Sequence, residues 1–320
     1  MSTLYLDRKN LSVKLDGHTM ALYEEGEKRG TVPLKLLERV VIRGNIALES
    51  RLLCAFGEHN VDVLFLTGRH SHNASMAFSH SHADARRRLA QYHSFFEHDQ
   101  QVAMARELVL GKAKKQRQLL REALNRRPDL RRVLLNADKS LAEIERKTVE
   151  LPSEDLSVEQ LRGFEGAAAA VYFSGYKALF AASLDFSQRR RRPPPDPVNA
   201  CLSLGYTLLH YEAVGICYQV GLDPLLGFYH EPAYGRESLA CDLIEPLRPR
   251  LDALVWLLFR DRVLRIDHFS LENGRCLLNK SGRKIFYSHY EQFVQPVRRL
   301  LRLQGYQLAQ RYLQTCSGVL

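Results

Sequence analysis

The hydrophobic period of this chain changes once, near residues 79–84, and this change constrains the fold more than any other feature. Before it, LYLDR, LSVKLDG, TMALYEEG and VDVLFLTG are short, partly alternating and bounded by glycine, as is typical of β-strands. One helix-like stretch, ALESRLLCAFGEHN, interrupts them. From about Ala83 the period is helical to the C-terminus. The sequence therefore predicts an α+β fold, with a β-rich domain at 1–82 and a larger, mostly helical domain at 83–320.

Two segments punctuate the helical part. RRRRPPPDP, at residues 189–197, is expected to be a non-helical connector, because proline lacks an amide hydrogen and clashes with the preceding helical turn. Near the end, CLLNKSGRKIF is expected to form a strand and a turn before a last helix that begins at SHYEQF.

The charge balance favours a polyanionic partner. The 320 residues contain 46 Lys and Arg against 36 Asp and Glu, a formal net charge of +10, although many basic proteins bind no nucleic acid. The N-terminus lacks a signal-peptide hydrophobic region, and no apolar run approaches 18 residues. Six scattered cysteines without a CxxC pair are read as reduced thiols. We therefore expect a cytoplasmic protein without a membrane span.

Positive charge is concentrated between residues 86 and 132, where 13 Lys and Arg face 5 Asp and Glu. This excess favours a phosphate-binding surface, and an ordinary solvated helix face is the alternative. The basic run at 189–192 is interpreted in the same way, as a tether or a backbone contact. The residues predicted to contact DNA are Arg86, Lys112, Lys114, Lys115, Arg117, Arg121, Arg191 and Arg192.

Two acids interrupt an apolar segment, LACDLIEPLRP. Asp242 and Glu245 are spaced i, i+3, so they share one face of a predicted helix. Carboxylates that face a core are costly unless they are compensated, and a divalent metal would reduce that cost. A partner arginine such as Arg248 or Arg260, or simple exposure, is the alternative.

Two further residues could complete a metal site. Glu165 lies in LRGFEGAAAAVYFSGY, where small residues at 166–170 would let another backbone approach, although an exposed helix glutamate is the alternative. His230 lies in the loop GFYHEPAYGRES, twelve residues before Asp242. With the acid pair they provide nitrogen and oxygen ligands that suit Mg²⁺ or Mn²⁺, and the imidazole shifts the preference toward Mn²⁺.

Other chemistries find less support. The chain contains no GxxxxGK[ST] loop, no GxGxxG after a strand, no GxSxG and no HExxH. A histidine cluster in GRHSHNASMAFSHSH could bind zinc, but no cysteine or acid stands close enough to complete a structural site. Its members, to which no role is assigned, are His70, His72, His80 and His82.

Several stretches together resemble one known family. They are GFEGAAAAVYF, RRPPPDPVNACLSLGYTLL, GLDPLLGFYHEPAYGRESLACDLIEPLRP and LLNKSGRKIFYSHYEQF, and the N-terminal VPLKLLERVVIRGNIALESRLLCAFGEHNVDVLFLTG is also similar. In this order they resemble the CRISPR-associated endonuclease/integrase of spacer acquisition, "Cas-one", over nearly the whole chain. DPVN and GxxxSLAxDLxE are the specific patterns.

The resemblance implies a set of site residues. It makes Glu165, His230 and Asp242 the ligands of a catalytic Mg²⁺ or Mn²⁺ and places Glu245 at a second acidic position close to the metal. It also implies that Asn199, in DPVNA, supports the site structurally.

Three residues depart from the family pattern. Cys241 replaces an aliphatic residue, and Lys115 replaces a frequent asparagine, which would add a phosphate contact. Pro246 replaces a common acid and removes the amide that would bond to the Asp242 carbonyl, so a kink is expected there.

The implied activity is antiviral defence by metal-dependent DNA strand transfer. The 3′-OH ends of a short double-stranded DNA would attack CRISPR repeat DNA. Homodimerisation through 1–82 and a small dimeric partner, "Cas-two", are also implied. A general structure-specific metal-dependent nuclease and a non-catalytic DNA-binding scaffold are the open alternatives.

Overall fold

The computed structural model describes residues 2–8, 10–66, 74–78 and 82–316. The chain divides into two compact units, Met1–Ala83 and Asp84–Leu320. Strands prevail in the first unit and helices in the second, which confirms the predicted α+β fold class. Within the described ranges, none of the helices is both long enough and apolar enough to span a membrane.

Within its described residues, the first unit contains two four-stranded sheets and one α-helix. Its elements are β1 (Ser2–Leu6), β2 (Leu11–Asp16), β3 (Thr19–Glu24), β4 (Glu27–Pro33), β5 (Leu37–Arg43), β6 (Ala47–Leu48), α1 (Ser50–Glu58), β7 (Asp62–Leu66) and β8 (Ala74–Ala77). The sheet orders are β4-β3-β2-β6 and β1-β5-β7-β8. Helix α1 confirms the predicted helical interruption of the strands.

The sequence did not predict β4 and β5 as separate strands. Strand β5 pairs in parallel with both β1 and β7 and carries an unbroken buried run at residues 40–42. Strands covered on both faces lose the apolar–polar alternation that marks a half-buried strand. Residues of both sheets and of α1, including Val13, Val40 and Phe56, form one apolar core.

The second unit is built mainly of helices. Its elements are α2 (Arg86–Phe95), α3 (His98–Arg126), α4 (Arg131–Glu150), α5 (Val158–Lys177), α6 (Pro197–Val220), α7 (Ser238–Ile244), α8 (Arg248–Arg260), β9 (Phe269–Glu272), β10 (Arg275–Leu278) and α9 (Lys280–Thr315). The long helical stretch expected from Ala83 is divided between α2 and α3. The two helices have different partners, since α2 packs on α9 whereas α3 packs on α4 and α5.

The proline-rich connector is non-helical up to Asp196, as predicted. The Asp196 side chain then caps α6 by accepting the amide of Asn199 at 2.8 Å, and Pro197 is the first helical residue. Near the C-terminus, β9 and β10 pair as antiparallel strands. Helix α9 begins directly after β10, without the expected turn, because Asn279 caps it by accepting the amide of Gly282 at 2.9 Å.

The small residues that follow Glu165 on α5 differ in their surroundings. A Cβ added to Gly166 would meet nothing within 4 Å, so no close approach occurs at that residue, whereas Ala168 is only 3% exposed. At Gly175 an added Cβ would lie 3.1 Å from the Cβ of Ala137 on α4. The helix surface beside Glu165 is therefore open at Gly166, whereas Ala168 is buried.

Candidate active site

Asp242, on α7, organises the loop that carries His230. Its Oδ2 accepts the backbone amides of Phe228 at 2.8 Å and Tyr229 at 3.0 Å. Its Oδ1 accepts the amide of His230 at 3.0 Å and lies 2.6 Å from His230 Nδ1. Gly227 permits this approach, because a Cβ there would lie 2.6 Å from Asp242 Oδ2. The Asp242 carboxylate is thus occupied by its own loop, and the side chain is 0% exposed.

These contacts set the orientation of the histidine ring. A carboxylate accepts hydrogen bonds, so Nδ1 of His230 is the nitrogen that donates to Asp242, and Nε2 is left on the opposite side of the ring. Burial raises the pKa of Asp242, and the hydrogen bond and charge of His230 oppose that rise. Tyr229 packs into an apolar cluster with residues of α3 and α5, which anchors the loop. The His230 side chain is 27% exposed, so its ring remains accessible to solvent.

A lysine joins the two remaining acids. Lys112 Nζ, on α3, donates to Glu165 Oε1 on α5 and lies 2.6 Å from Glu245 Oε2. Glu245 begins a 3-10 turn, Glu245–Leu247, that links α7 to α8. Lys112 is only 9% exposed, whereas the Glu165 side chain is 25% exposed. Three elements therefore bring two carboxylates to one buried ammonium group.

Glu245 has a second cationic partner. The Nε of Arg248 lies 3.0 Å from Glu245 Oε1, which matches the alternative prediction of a partner arginine, whereas Arg260 pairs with Asp261. Burial by itself would raise the pKa of Glu245, but the charges of Arg248 and Lys112 outweigh burial and lower it to about 2.

Pro246 marks the expected break in the helix. Helix α7 ends at Ile244, and the Glu245 amide donates to the Asp242 carbonyl in a 3-10 turn. A Cβ added at Gly111 would lie 4.0 Å from the Cβ of Pro246, so the turn packs beside the residue that precedes Lys112. The 3-10 turn that carries Glu245 therefore packs on the part of α3 that carries Lys112.

A stack of side chains links Glu245 to the proline-rich connector. The guanidinium carbon of Arg248 lies 4.8 Å from the Tyr206 ring centroid, and that of Arg189 lies 5.4 Å from the same ring. Asn199 accepts from the Arg189 side chain at 2.8 Å and from the Arg190 amide at 2.9 Å. Asn199 thus fixes the connector. Because it also binds the Arg189 side chain, it helps to position the Arg189–Tyr206–Arg248 stack that reaches Glu245.

Sequence reasoning missed the buried centre below this stack. The carboxylate of Asp252 accepts the hydroxyls of Tyr172, at 2.7 Å, and of Tyr206. Burial raises the pKa of Asp252 to about 6, although both tyrosine hydrogen bonds and the nearby Arg189 and Arg248 act in the opposite direction. The sequence did contain a signal for this centre, because Asp252 is the one acid in the otherwise apolar segment LDALVWLLF.

The residues predicted to contact DNA differ in exposure. Five are exposed: Arg86, Lys114, Arg121, Arg191 and Arg192. Lys115 is half-buried, and Lys112 is buried between Glu165 and Glu245, which together with it are called the acid cluster. Arg117 bonds to Asp138 at 2.9 Å and to Glu145 at 2.8 Å, so it also fastens α3 to α4. A cavity of about 320 Å³ opens on this part of α3. Its lining residues are Lys114, Arg117, Gln118, Arg121, Glu122 and Asn125.

The donor set suits a divalent cation, although no cage is preassembled. Among the residues that the structure describes, no three His, Cys, Asp or Glu side chains are already arranged to hold a metal. Glu165 and Glu245 nevertheless converge on one cation, the Lys112 ammonium, and Glu245 lies three residues after Asp242, which binds the His230 ring. Glu245 thus shares a cation with Glu165, while Asp242 binds the loop that carries His230. Of the four histidines considered for a zinc site, His70, His72 and His80 lie outside the described residues and His82 lies within them.

Comparisons with known proteins point to one family. The profile described as "CRISPR associated protein Cas1" matches residues 4–292. CRISPR-associated endonuclease Cas1 1 of Thermodesulfovibrio yellowstonii is 40% identical over 316 residues, which cover 98% of each chain.

Three solved structures share the fold. A CAS1 protein from Thermotoga maritima is 23% identical with a TM-score of 0.82, over 98% of this chain and 97% of that one. A casposase bound to integration product is 22% identical with a TM-score of 0.83, and the match covers 98% of this chain and 91% of that one. A Cas6-RT-Cas1–Cas2 complex contains a chain that is 22% identical with a TM-score of 0.82, over 98% and 35%.

Proposed function

Because the chain belongs to the Cas1 family of CRISPR-associated proteins, we propose that it is a metal-dependent DNA endonuclease and integrase. It joins the 3′-OH ends of short double-stranded DNA to CRISPR repeat DNA in antiviral defence. One observation carries this proposal: Glu165 and Glu245 converge on a single cation, and Glu245 follows by three residues the Asp242 carboxylate that binds the His230 ring.

In this proposal the metal ligands are Glu165, Glu245 and the Nε2 of His230. Asp242 is assigned the positioning of His230, because all four of its short contacts come from donors in its own loop. Bound Mg²⁺ or Mn²⁺ would supply Lewis-acid stabilisation of the charge that develops on the phosphate under attack.

The protein's own residues position the reacting strands. Arg248 neutralises Glu245 on the side away from Lys112 and, with Arg189, stacks on Tyr206. The exposed Arg191 and Arg192 follow Arg189 on the same connector and can contact DNA phosphates. The open surface beside Gly166 leaves a strand room to approach Glu165.

The partners are also proposed. The fold shared with the chain of a Cas6-RT-Cas1–Cas2 complex supports a small dimeric partner of the Cas2 type. The fold shared with a casposase bound to integration product supports strand transfer over simple cleavage. We assign homodimerisation to the β-rich domain.

A strand-transfer assay tests the proposal. A short duplex with free 3′-OH ends is incubated with a supercoiled plasmid that carries a repeat, the Cas2-type partner, and Mn²⁺, Mg²⁺ or a chelator. We expect joined product that requires metal and free 3′ ends and is lost in His230→Ala. The matched control His98→Ala changes an exposed histidine of α3 and should join normally.

The same assay separates the alternatives. Metal-dependent cleavage without joining would favour a general structure-specific nuclease. DNA binding without any product would favour a non-catalytic scaffold, and it would leave the acid cluster with a structural role.

A further inference from the structure

Lys112 occupies an unusual place for a lysine. It lies on the buried side of α3, between Gly111 and Ala113, and its side chain is 11% exposed. Buried ammonium groups need compensating charges. Here the compensation comes from Glu165 and Glu245, two of the three side chains proposed to bind metal.

We infer that Lys112 is an internal counter-cation of the metal centre. Its ammonium group holds Glu165 and Glu245 together while no metal is bound, and a divalent ion must displace it to use these carboxylates. This inference rests on the proposed function, because it concerns the same metal centre.

The occupancy of the oxygens supports displacement of a cation. Glu245 Oε2 is taken by Lys112 and Glu245 Oε1 by Arg248, so each oxygen of this buried carboxylate already faces a cation. A metal ion bound to either oxygen would lie next to one of these cations, and the repulsion between the two positive charges favours displacement of that cation. The Glu165 oxygen nearest the site, Oε1, is also taken by Lys112.

The two cations differ in how firmly they are held. Arg248 begins α8 only three residues after Glu245, and its guanidinium group stacks on Tyr206. Lys112 comes from another helix, and its ammonium group ends a flexible four-carbon stem. Its contact with Glu165 lies on the accessible side of the cluster, since that carboxylate is partly exposed. Lys112 is therefore the cation that leaves.

The inference predicts opposite effects of one substitution on metal affinity and on metal-free stability. Lys112→Met keeps the length and apolar stem of the side chain but removes its charge. The two carboxylates then lack a competing cation, so Mn²⁺ should bind about tenfold more tightly or better. Without metal the variant should melt at a lower temperature than the parent, because Glu245 loses one of its two cationic partners.

Binding of Mn²⁺ to the full-length protein is measured by isothermal titration calorimetry, and melting temperatures are measured in chelator and in Mn²⁺. The metal should raise the melting temperature of Lys112→Met more than that of the parent, because tighter binding to the native state stabilises it further. Lys112→Arg retains the charge and should not gain affinity. Lys114→Met, an exposed lysine two residues along α3, should match the parent in Mn²⁺ affinity.

The outcomes distinguish this inference from the proposed function. If the parent binds Mn²⁺ and Lys112→Met binds it no more tightly, the counter-cation role is overturned while the metal centre stands. If neither protein binds Mn²⁺, the metal centre itself is overturned. If Lys112→Met fails to fold in chelator, Mn²⁺ should restore its folding, and absence of that rescue overturns the inference.

Discussion

His230 Nδ1 lies 2.6 Å from Asp242 Oδ1, and the same oxygen accepts the backbone amide of His230 at 3.0 Å. One carboxylate thus holds both the ring and the backbone of the histidine. The two residues therefore form one hydrogen-bonded unit, and under the proposed function Asp242 acts through His230.

Asp242→Ala should lower strand joining by roughly 10–100-fold or more while DNA binding persists, because His230 loses its orientation. Joining is measured by the strand-transfer assay and DNA binding by fluorescence anisotropy. The double variant with His230→Ala should be about as impaired as the worse single variant. Losses that multiply in the double variant would show that the two residues act independently.

Gly227→Ala should destabilise the second unit and reduce joining, because the new Cβ would lie 2.6 Å from Asp242 Oδ2 and 2.9 Å from the Ser238 backbone. We expect a loss of roughly 1–3 kcal/mol in the free energy of unfolding, measured by urea denaturation. Gly166→Ala is the matched control, since its Cβ meets open space on a helix and should stabilise by roughly 0.5–1 kcal/mol. Equal effects of the two substitutions would contradict the tight loop.

Lys114→Gln together with Lys115→Gln should weaken binding to all DNA sequences alike. For each lysine that binds a phosphate, its replacement should reduce the slope of log affinity against log salt concentration by about 1. Lys112 and Arg117 are left unchanged because both hold the fold through buried or half-buried acids. The control changes two exposed lysines of α4, Lys139 and Lys147, and should keep the parent slope. Weaker binding confined to particular sequences would argue against a phosphate-binding surface.

The pH dependence of stability should reveal the ion pairs of Glu245. The folded-state pKa is about 2 against an ordinary value of 4.5, so the ionised form stabilises the native state above pH 4.5. That stabilisation, at most about 3 kcal/mol, is lost as the pH falls from 4.5 toward 2. In chelator, urea denaturation between pH 5 and 3 should therefore show a steeper loss for the parent than for Glu245→Gln. Identical slopes would contradict the pairing with Lys112 and Arg248.

The fold class could be predicted because periodicity is a local property of the sequence. The change of period near residues 79–84 separates strands from helices, and the proline-rich run ends helical structure by its own chemistry. Strand β5 escaped prediction because its neighbours bury both of its faces. The break between α2 and α3 was not predicted either, because it depends on the different helices against which α2 and α3 pack.

The sequence by itself determined which residue types the candidate site contains: Glu165, His230 and the acid pair were all named from their types and order. Only the tertiary structure decided how these residues are arranged. It turned Asp242 toward its own loop, and it placed Lys112, expected on a DNA-binding face, between two acids that lie 53 and 133 residues away in the chain. Contacts over such separations depend on how α3, α5 and the 3-10 turn pack together, and the pattern within any one segment does not encode that packing.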